Sequence, residues 1–589
     1  MRVWGIGALT AAMMAVSGGI AGAQETPPNI VIIMADDVGF SDFGAYGSEI
    51  STPNIDALAA RGAIFSNFHA SPVCSPSRAM LMTGMSSHLA GVGNLPETLP
   101  PAHREAPAYL GRLADDVVTV ASLLQRAGYR TSMTGKWHLG HEPSSLPPAH
   151  GFDRSFALDA SGADNWEKRS YLPIYSDAPW FEDGEPADLP KDFYSSKFIV
   201  DKAIEYLEEG ESEKPFLAYL AFQAVHIPVQ APREFTEKYE GIYADGWDAL
   251  RKSRFESVMA RGLLPESTVL GPMPEGLRDW DALSEGERAF FAKSMAVNAG
   301  MIDAMDFHIG RFIDHLKATG QYENTVFFVL SDNGPEPNDP VSNPGFSQWL
   351  WWEGYRRDIE TLGEKGSYAF IGPEFASAAA SPGSFFKLYA GEGGLRVPFI
   401  VAGNGIPARG HVSQFSFITD IAPTILDLAG VSPVAKFDGR TVKPMTGRSL
   451  LPLLSGASNQ HYGAGDAVGL EAAGNAALFR GDHKLVRNMP PYGDGNWYLY
   501  NIATDPGETH DLSEERPDLF AEMRAEYDTY AERVGVLEMP EGYAQMKQLT
   551  LNLAEEYRAA IILACIAALA LLVGFVWLLW VGARRLMAR

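Results

Sequence analysis

Cysteine is almost absent from this chain: two residues in 589, Cys74 and Cys565. Cys565 lies inside a long apolar run near the C-terminus, so an exported domain would hold one thiol and no partner for an internal disulfide. A disulfide scaffold is excluded, and Cys74 needs another reason to be there; the plainest one is a small buried hydrophobe. Positive charge is also scarce. Against 73 Asp and Glu stand 47 Lys and Arg, a formal net charge of −26. That balance excludes the basic surface that nucleic acid requires, so no nucleic-acid partner is expected. An anionic substrate would have to be drawn in by local cations, not by the overall field. Internal repeats and low-complexity tracts are lacking as well.

Two stretches lack charge altogether. Val3 to Ile20 follows Arg2 and leads into Ala21-Gly22-Ala23. This reads as a secretory signal peptide over residues 1–23, to be left out of the fold. Ala559 to Ala583 is a run of roughly 25 uncharged residues, long enough to cross a ~30 Å hydrocarbon core as a helix. Arg584, Arg585 and Arg589 follow it, while Glu555 and Glu556 precede it with the single Arg558. Positive charge marks the cytoplasmic side, so residues 584–589 form a cytoplasmic tail and the bulk of the chain lies outside. The expectation is an exported protein, held in the lipid bilayer by one C-terminal helix, with its large domain periplasmic or extracellular. Between the ends, 46% hydrophobic content leaves ample core. We divide it into an α/β domain over 24–435, a smaller subdomain over 436–545 and a juxtamembrane linker over 546–558.

Asn29 to Met34 is continuously apolar, as expected of a parallel strand covered on both faces, and stops at Ala35-Asp36-Asp37. Thr325 to Leu330 repeats the design and stops at Ser331-Asp332-Asn333-Gly334. Phe216 to Phe222 leads towards His226, and Tyr129 to Met133 towards Gly135-Lys136-Trp137-His138. Helical patterns such as Asp56 to Arg61 and Val117 to Ala127 separate these runs, which suggests alternating β and α units. Ligands of open α/β sheets sit beyond the carboxyl ends of the strands. Each pair, Asp36-Asp37 or Asp332-Asn333, is by itself an ordinary turn or cap signal. Together they form a hard oxygen cluster suited to Ca2+ or Mg2+. Three carboxylates at one locus repel unless a cation neutralises them.

The strongest signal is Cys74-Ser75-Pro76-Ser77-Arg78, continued without a break through Leu81-Met82-Thr83-Gly84. On a helix starting near Pro76, Arg78 stays on the side of residue 74. Pro76 is tolerated in the first turn, whose free N–H groups favour an anion. Lys136 and His138, two apart, can face one pocket, and Lys387 stands shortly before Glu392-Gly393-Gly394-Leu395-Arg396-Val397-Pro398.

In these stretches the chain resembles the sulfatases of the alkaline-phosphatase-like superfamily, the arylsulfatase branch most closely, over nearly all of residues 29–515. Thr52 to Asp56, Trp497 to Asn501 and Asp505 to Glu508 look like further landmarks. The resemblance implies a large mixed, mainly parallel sheet sandwiched by helices, with a smaller C-terminal α+β subdomain; the transmembrane helix is our addition from the apolar run. It implies hydrolysis of small sulfate monoesters to an alcohol or phenol and inorganic sulfate. The nucleophile would be the hydrate of Cα-formylglycine, made from Cys74 by a formylglycine-generating enzyme. Asp36, Asp37, Asp332 and Asn333, with residue 74, would ligate Ca2+, Mg2+ being the alternative. Arg78, Lys136 and His138 would hold the modified residue, while His226 and Lys387 would hold the sulfate and assist the leaving group. Asp332 is our candidate proton acceptor. The runner-up is a phosphonate monoester or phosphodiester hydrolase of the same superfamily. The segments Glu234–Leu283 and Pro335–Phe386 are expected to wall the pocket, and Trp349, Leu350, Trp351 and Trp352 either stack on a substrate ring or belong to the core.

Overall fold

The computed structural model describes residues 27–211 and 213–587. The signal peptide expected over 1–23 lies outside the described residues, as do Ala588 and Arg589. Four strands carry the site: β1 (Asn29–Ala35), β2 (Arg130–Lys136), β3 (Phe216–Ala221) and β4 (Thr325–Ser331). They are the four apolar runs of the sequence, and they lie side by side in the order β4-β1-β3-β2, all parallel. Register is set with Val31 opposite Ala218 on one side and Phe327 on the other. The sheet grows to ten strands through Phe399–Gly403, antiparallel next to β4, then Ala63–Phe65 and Gly410–Val412, and through Arg154–Leu158, parallel next to β2, then Trp180–Glu182 and Glu185–Pro186.

Because side chains alternate across a strand, β1 feeds two cores. Val31 and Ile33 face one, where the long helix Glu285–Ala318 packs; Ile30, Ile32 and Met34 face the other, with helices Cys74–Thr83, Val120–Arg126 and Ile421–Ala429. Each such buried side chain contributes about 1.5–3 kcal/mol relative to exposure. Both faces being covered explains why these strands read as unbroken apolar runs. The last part of the domain is a separate four-stranded antiparallel sheet, Ala467–Ala472, Asn475–Arg480, His483–Arg487 and Trp497–Asn501, under the helix Pro517–Val534.

Two helices close the described chain. Residues Gln545–Glu556, most of the stretch read as a linker, are helical and lie on the domain at Pro96–Thr98. Arg558–Met587 follows as a 30-residue helix, in which Cys565–Arg585 has the length and apolarity of a membrane span, with no part of it buried against the protein.

Candidate active site

Every one of the ten side chains singled out in the sequence arrives at the carboxyl ends of β1 to β4. Beyond β1, Asp36 is tied back by its N–H to the carbonyl of Ala224, 2.8 Å away, and Asp332 by its N–H to that of Ala35. Asp37 takes a left-handed conformation, φ 68°, a costly choice for a residue with a Cβ that is typical of functional sites. The turn sends the two neighbouring carboxylates to different cations. Asp36 accepts from Lys136 Nζ at 2.7 and 2.9 Å, while Asp37 accepts from Lys387 Nζ at 2.9 Å. Asn333 Nδ2 donates to Asp37 Oδ1 at 2.6 Å. Lys136 is the last residue of β2, and two residues on His138 is again left-handed, φ 56°.

Residue 74 opens the helix α1 (Cys74–Thr83), which therefore starts two residues earlier than the position of Pro76 suggested. Pro76 still falls in the first turn, where its missing N–H costs nothing. The helix ends at Gly84, φ 64°, whose N–H bonds Met80 O; a Cβ there would meet Met445 Sδ at 3.1 Å, so glycine is required twice over. One turn into α1 the wholly buried Arg78 donates from Nε and Nη2 to Asp332 Oδ2, at 3.1 and 2.7 Å, and from Nη1 to Lys136 O. Ligand atoms of Asp36, Cys74 and Asp332 all lie within 4.8 Å of one another. The Cys74 thiol contacts His138 Nδ1 at 3.6 Å. Burial by itself would raise its pKa, but Lys136, Lys387 and His138 together pull it down to about 6.

A divalent cation fits this donor set. Burial pushes the Asp36 carboxyl well above its ordinary range and Asp37 up to about 7, in spite of the lysines beside them. Asp332 is the exception: burial opposes its ionisation, but Arg78, Lys136 and Lys387 more than offset it. Asn333 Oδ1 is buried and accepts no hydrogen bond, an orphan acceptor next to three carboxylates. Hard oxygens with one unused carbonyl describe a site for Ca2+ or Mg2+.

Across the cavity, His226 donates Nδ1–H to Ile227 O at 2.7 Å, which leaves Nε2 facing inward, 3.8 Å from both Asp37 and Glu336. Burial, with Lys387 and Lys136 nearby, keeps the ring well below its ordinary pKa and so neutral. Two acidic residues were missed in the sequence. Glu336 binds Lys387 Nζ at 2.8 Å; only four residues after Asp332, it was within reach of the strand-end argument. Glu97 accepts from His138 Nε2 at 3.0 Å and from the Tyr175 hydroxyl. Burial works against both members of that pair, yet their mutual attraction lowers Glu97 to about 2 and, with Cys74, raises His138 to about 9. His138 is therefore a cation held over residue 74. Of the segments expected to wall the pocket, the second supplies Glu336, Asn338, Pro340 and Tyr368. The Trp-rich helix does not reach it: Leu350 is core, and Trp351 and Trp352 are each 77% exposed.

A family model described as Sulfatase matches residues 28–431, and the chain belongs to the sulfatases, hydrolases of sulfate esters. An uncharacterized sulfatase of Schizosaccharomyces pombe is 36% identical over 538 residues, covering 88% of this chain and 96% of that one. An arylsulfatase of Klebsiella aerogenes is 35% identical over 447 residues, 75% of this chain and 95% of its own. Among solved structures, Ps i-CgsB in complex with k-i-k-neocarrahexaose has the same fold, with a TM-score of 0.61 at 23% identity over 86% of this chain and 93% of that one.

Proposed function

We propose that this chain is an arylsulfatase-type enzyme, exported and anchored by its C-terminal helix, that cleaves sulfate monoesters at residue 74. The observation that carries the reading is the encirclement of Cys74 by Lys136, Lys387 and His138, directly over the Asp36–Asp37–Asp332–Asn333 cluster. Three cationic donors around one side chain suit an oxygen-bearing residue, which a thiol is not; the family's formylglycine, made from this cysteine, would supply a nucleophilic oxygen there. Asp36, Asp37, Asp332 and Asn333 would hold Ca2+, which lowers the pKa of an oxygen bound to it and offsets charge on the sulfuryl group.

The chain's own residues then divide the work. Arg78 fixes Asp332 and closes the floor of the site from below. Asp332, with a ligand atom within 4.8 Å of Cys74, would receive a proton from a formylglycine hydroxyl at that position. His138, held charged by Glu97 and with Nδ1 3.6 Å from the Cys74 sulfur, and Lys136 would donate to the oxygens of a formylglycine at position 74. Lys387 and His226, both beside Asp37, would meet the sulfuryl group of a bound ester. A sulfate at His226 Nε2 draws a proton onto the ring by its negative charge, which gives the departing oxygen a donor. The test is release of inorganic sulfate from 4-nitrophenyl sulfate, compared with hydrolysis of 4-nitrophenyl phenylphosphonate by the same preparation. Sulfate release with the higher kcat/KM supports the reading; preference for the phosphonate would make it the other hydrolase of the superfamily.

A further inference from the structure

The cavity above residue 74 has a charged floor and an apolar roof, and part of that roof belongs to the helix α2 (Gln545–Glu556). Gln545, Met546 and Leu549 line the same space as Cys74, His226 and Lys387, and Leu95, Leu172 and Leu388 extend the apolar wall. Two larger clefts lie elsewhere, one beside His411 and Tyr462 and one at the amino ends of the central strands beside Asn29 and His315.

Helix α2 is fastened in place. Asn552 Nδ2 donates to the carbonyls of Glu97 and Leu99 at 2.9 and 3.0 Å, Arg104 Nη2 donates to Asn552 Oδ1 at 2.7 Å, and the Tyr543 hydroxyl bonds Thr98 O. Its face at 545, 546, 549, 552 and 553 is half-buried on the domain while 547, 550 and 551 face outward, the repeat of an amphipathic helix. After Glu556 the chain passes with only Tyr557 between into the apolar helix α3 (Arg558–Met587). From Leu549 to Cys565, where the span begins, is sixteen residues. At 1.5 Å per helical residue that is about 24 Å at most. A bilayer crossed by α3 therefore begins within about that distance of Leu549. A separate feature follows the cavity lining in the chain. The segment carrying Asn338 and Pro340 lines the cavity, and a few residues later the helix Phe346–Trp352 presents Trp351 and Trp352, the most exposed large apolar side chains outside α3 among the described residues. Tryptophan is the residue of membrane–water interfaces.

We propose that the substrate is the sulfate ester of an apolar, membrane-resident alcohol, whose tail lies under α2 while its sulfate reaches the cationic floor. This rests on the sulfatase reading above and names its substrate class. Water-soluble esters lack the tail for which the roof is built, and a sulfated sugar would leave Leu95, Met546 and Leu549 against hydroxyl groups.

The test uses the full-length protein, with residue 74 in its mature form, reconstituted in phosphatidylcholine vesicles. For butyl, hexyl and octyl sulfate, kcat/KM should rise by about threefold to fourfold per methylene while the tail still finds apolar wall. Leu549→Glu should lower the octyl-to-butyl ratio at least about tenfold by polarising that wall. Hexadecyl sulfate placed in the same vesicles as the enzyme should be cleaved at an initial rate at least about tenfold above that for hexadecyl sulfate in separate vesicles. Equal rates from the two vesicle populations, or no rise with chain length while 4-nitrophenyl sulfate is turned over, would overturn the inference and leave the sulfatase reading standing. Failure to release sulfate from any ester, 4-nitrophenyl sulfate included, would overturn both.

Discussion

Two buried charge networks in this fold are finished differently. One joins the main domain to the C-terminal sheet. Glu392 accepts from Lys484 at 2.8 Å, from Arg396 Nε at 2.6 Å and from His69 at 3.0 Å; Glu508 accepts from Lys484 and from the Glu392 N–H, each at 2.8 Å. Two carboxylates meet two permanent cations, every carboxylate oxygen is used, and Glu392 is held well below the ordinary carboxylate range, its neighbours outweighing burial. The other network is the candidate active site. There five carboxylates, Asp36, Asp37, Asp332, Glu336 and Glu97, face four cations, Arg78, Lys136, Lys387 and His138. An acceptor, Asn333 Oδ1, is left over, and two of the aspartates are pushed upward. In the first network every carboxylate oxygen is met by a protein group, although burial and Glu392 raise Glu508, and His69 Nδ1 and Arg396 Nη2 are left without partners. The second, with an anionic substrate still to come, is short of positive charge.

Breaking each network should therefore give opposite results. The largest effect is catalytic: Cys74→Ala should lower sulfate release by about 10⁴-fold or more, while the melting temperature stays within a degree or so of the unmutated protein. Full activity would remove residue 74 from the chemistry. Next, Lys484→Met should destabilise by about 3–5 kcal/mol, because Glu392 and Glu508 are left buried and uncompensated. An unchanged melting transition would show that this network is not what fastens the two parts. By contrast, Asp37→Asn in chelator-treated protein should raise the melting temperature by a few degrees at pH 8 while reducing activity with calcium restored about 10²–10³-fold. A loss of stability comparable to that of Lys484→Met would erase the distinction drawn here.

The smallest effect is in pH. Burial lowers His69 to about 4 in spite of Glu392, against an ordinary 6.5. The unfolded chain takes up that proton first, so the histidine's contribution is complete above pH 6.5 and is lost as pH falls towards 4. Asp37, raised to about 7, behaves oppositely without metal: its contribution is complete below about 3.8 and is lost as pH rises through 7. In a comparison of melting temperatures between pH 6.5 and 4, His69→Gln should flatten the acid decline; an identical decline would assign it elsewhere.

Much of the site was legible because strand ends and a helix start are local signals. The polar residues that stop the runs at Met34 and Leu330 mark where the backbone leaves the sheet, and parallel packing then brings those ends together whatever their separation in sequence. The extended pattern from Cys74 to Gly84 marks the helix in the same way, although its start was placed two residues late. Glu97 gave no such signal. It lies in a proline-flanked 3-10 turn with no apolar period around it, and its partner His138 is 41 residues away. The roof was hidden for a related reason. Residues 545–556 are too polar to announce a buried face, and only the contacts of Asn552, Met546 and Leu549 show that they cover the cavity. In the Trp-rich stretch, apolar side chains alone did not distinguish core from surface; the fold puts Leu350 inside and Trp351 and Trp352 outside.

The most direct test of the central claim is the divalent metal content of the full-length protein after exhaustive dialysis, measured by inductively coupled plasma mass spectrometry beside the Asn333→Ala variant. The account predicts about one calcium per chain in the parent protein and a clear loss in the variant, since the orphan oxygen would be gone. An active parent protein that carries neither calcium nor magnesium would contradict it.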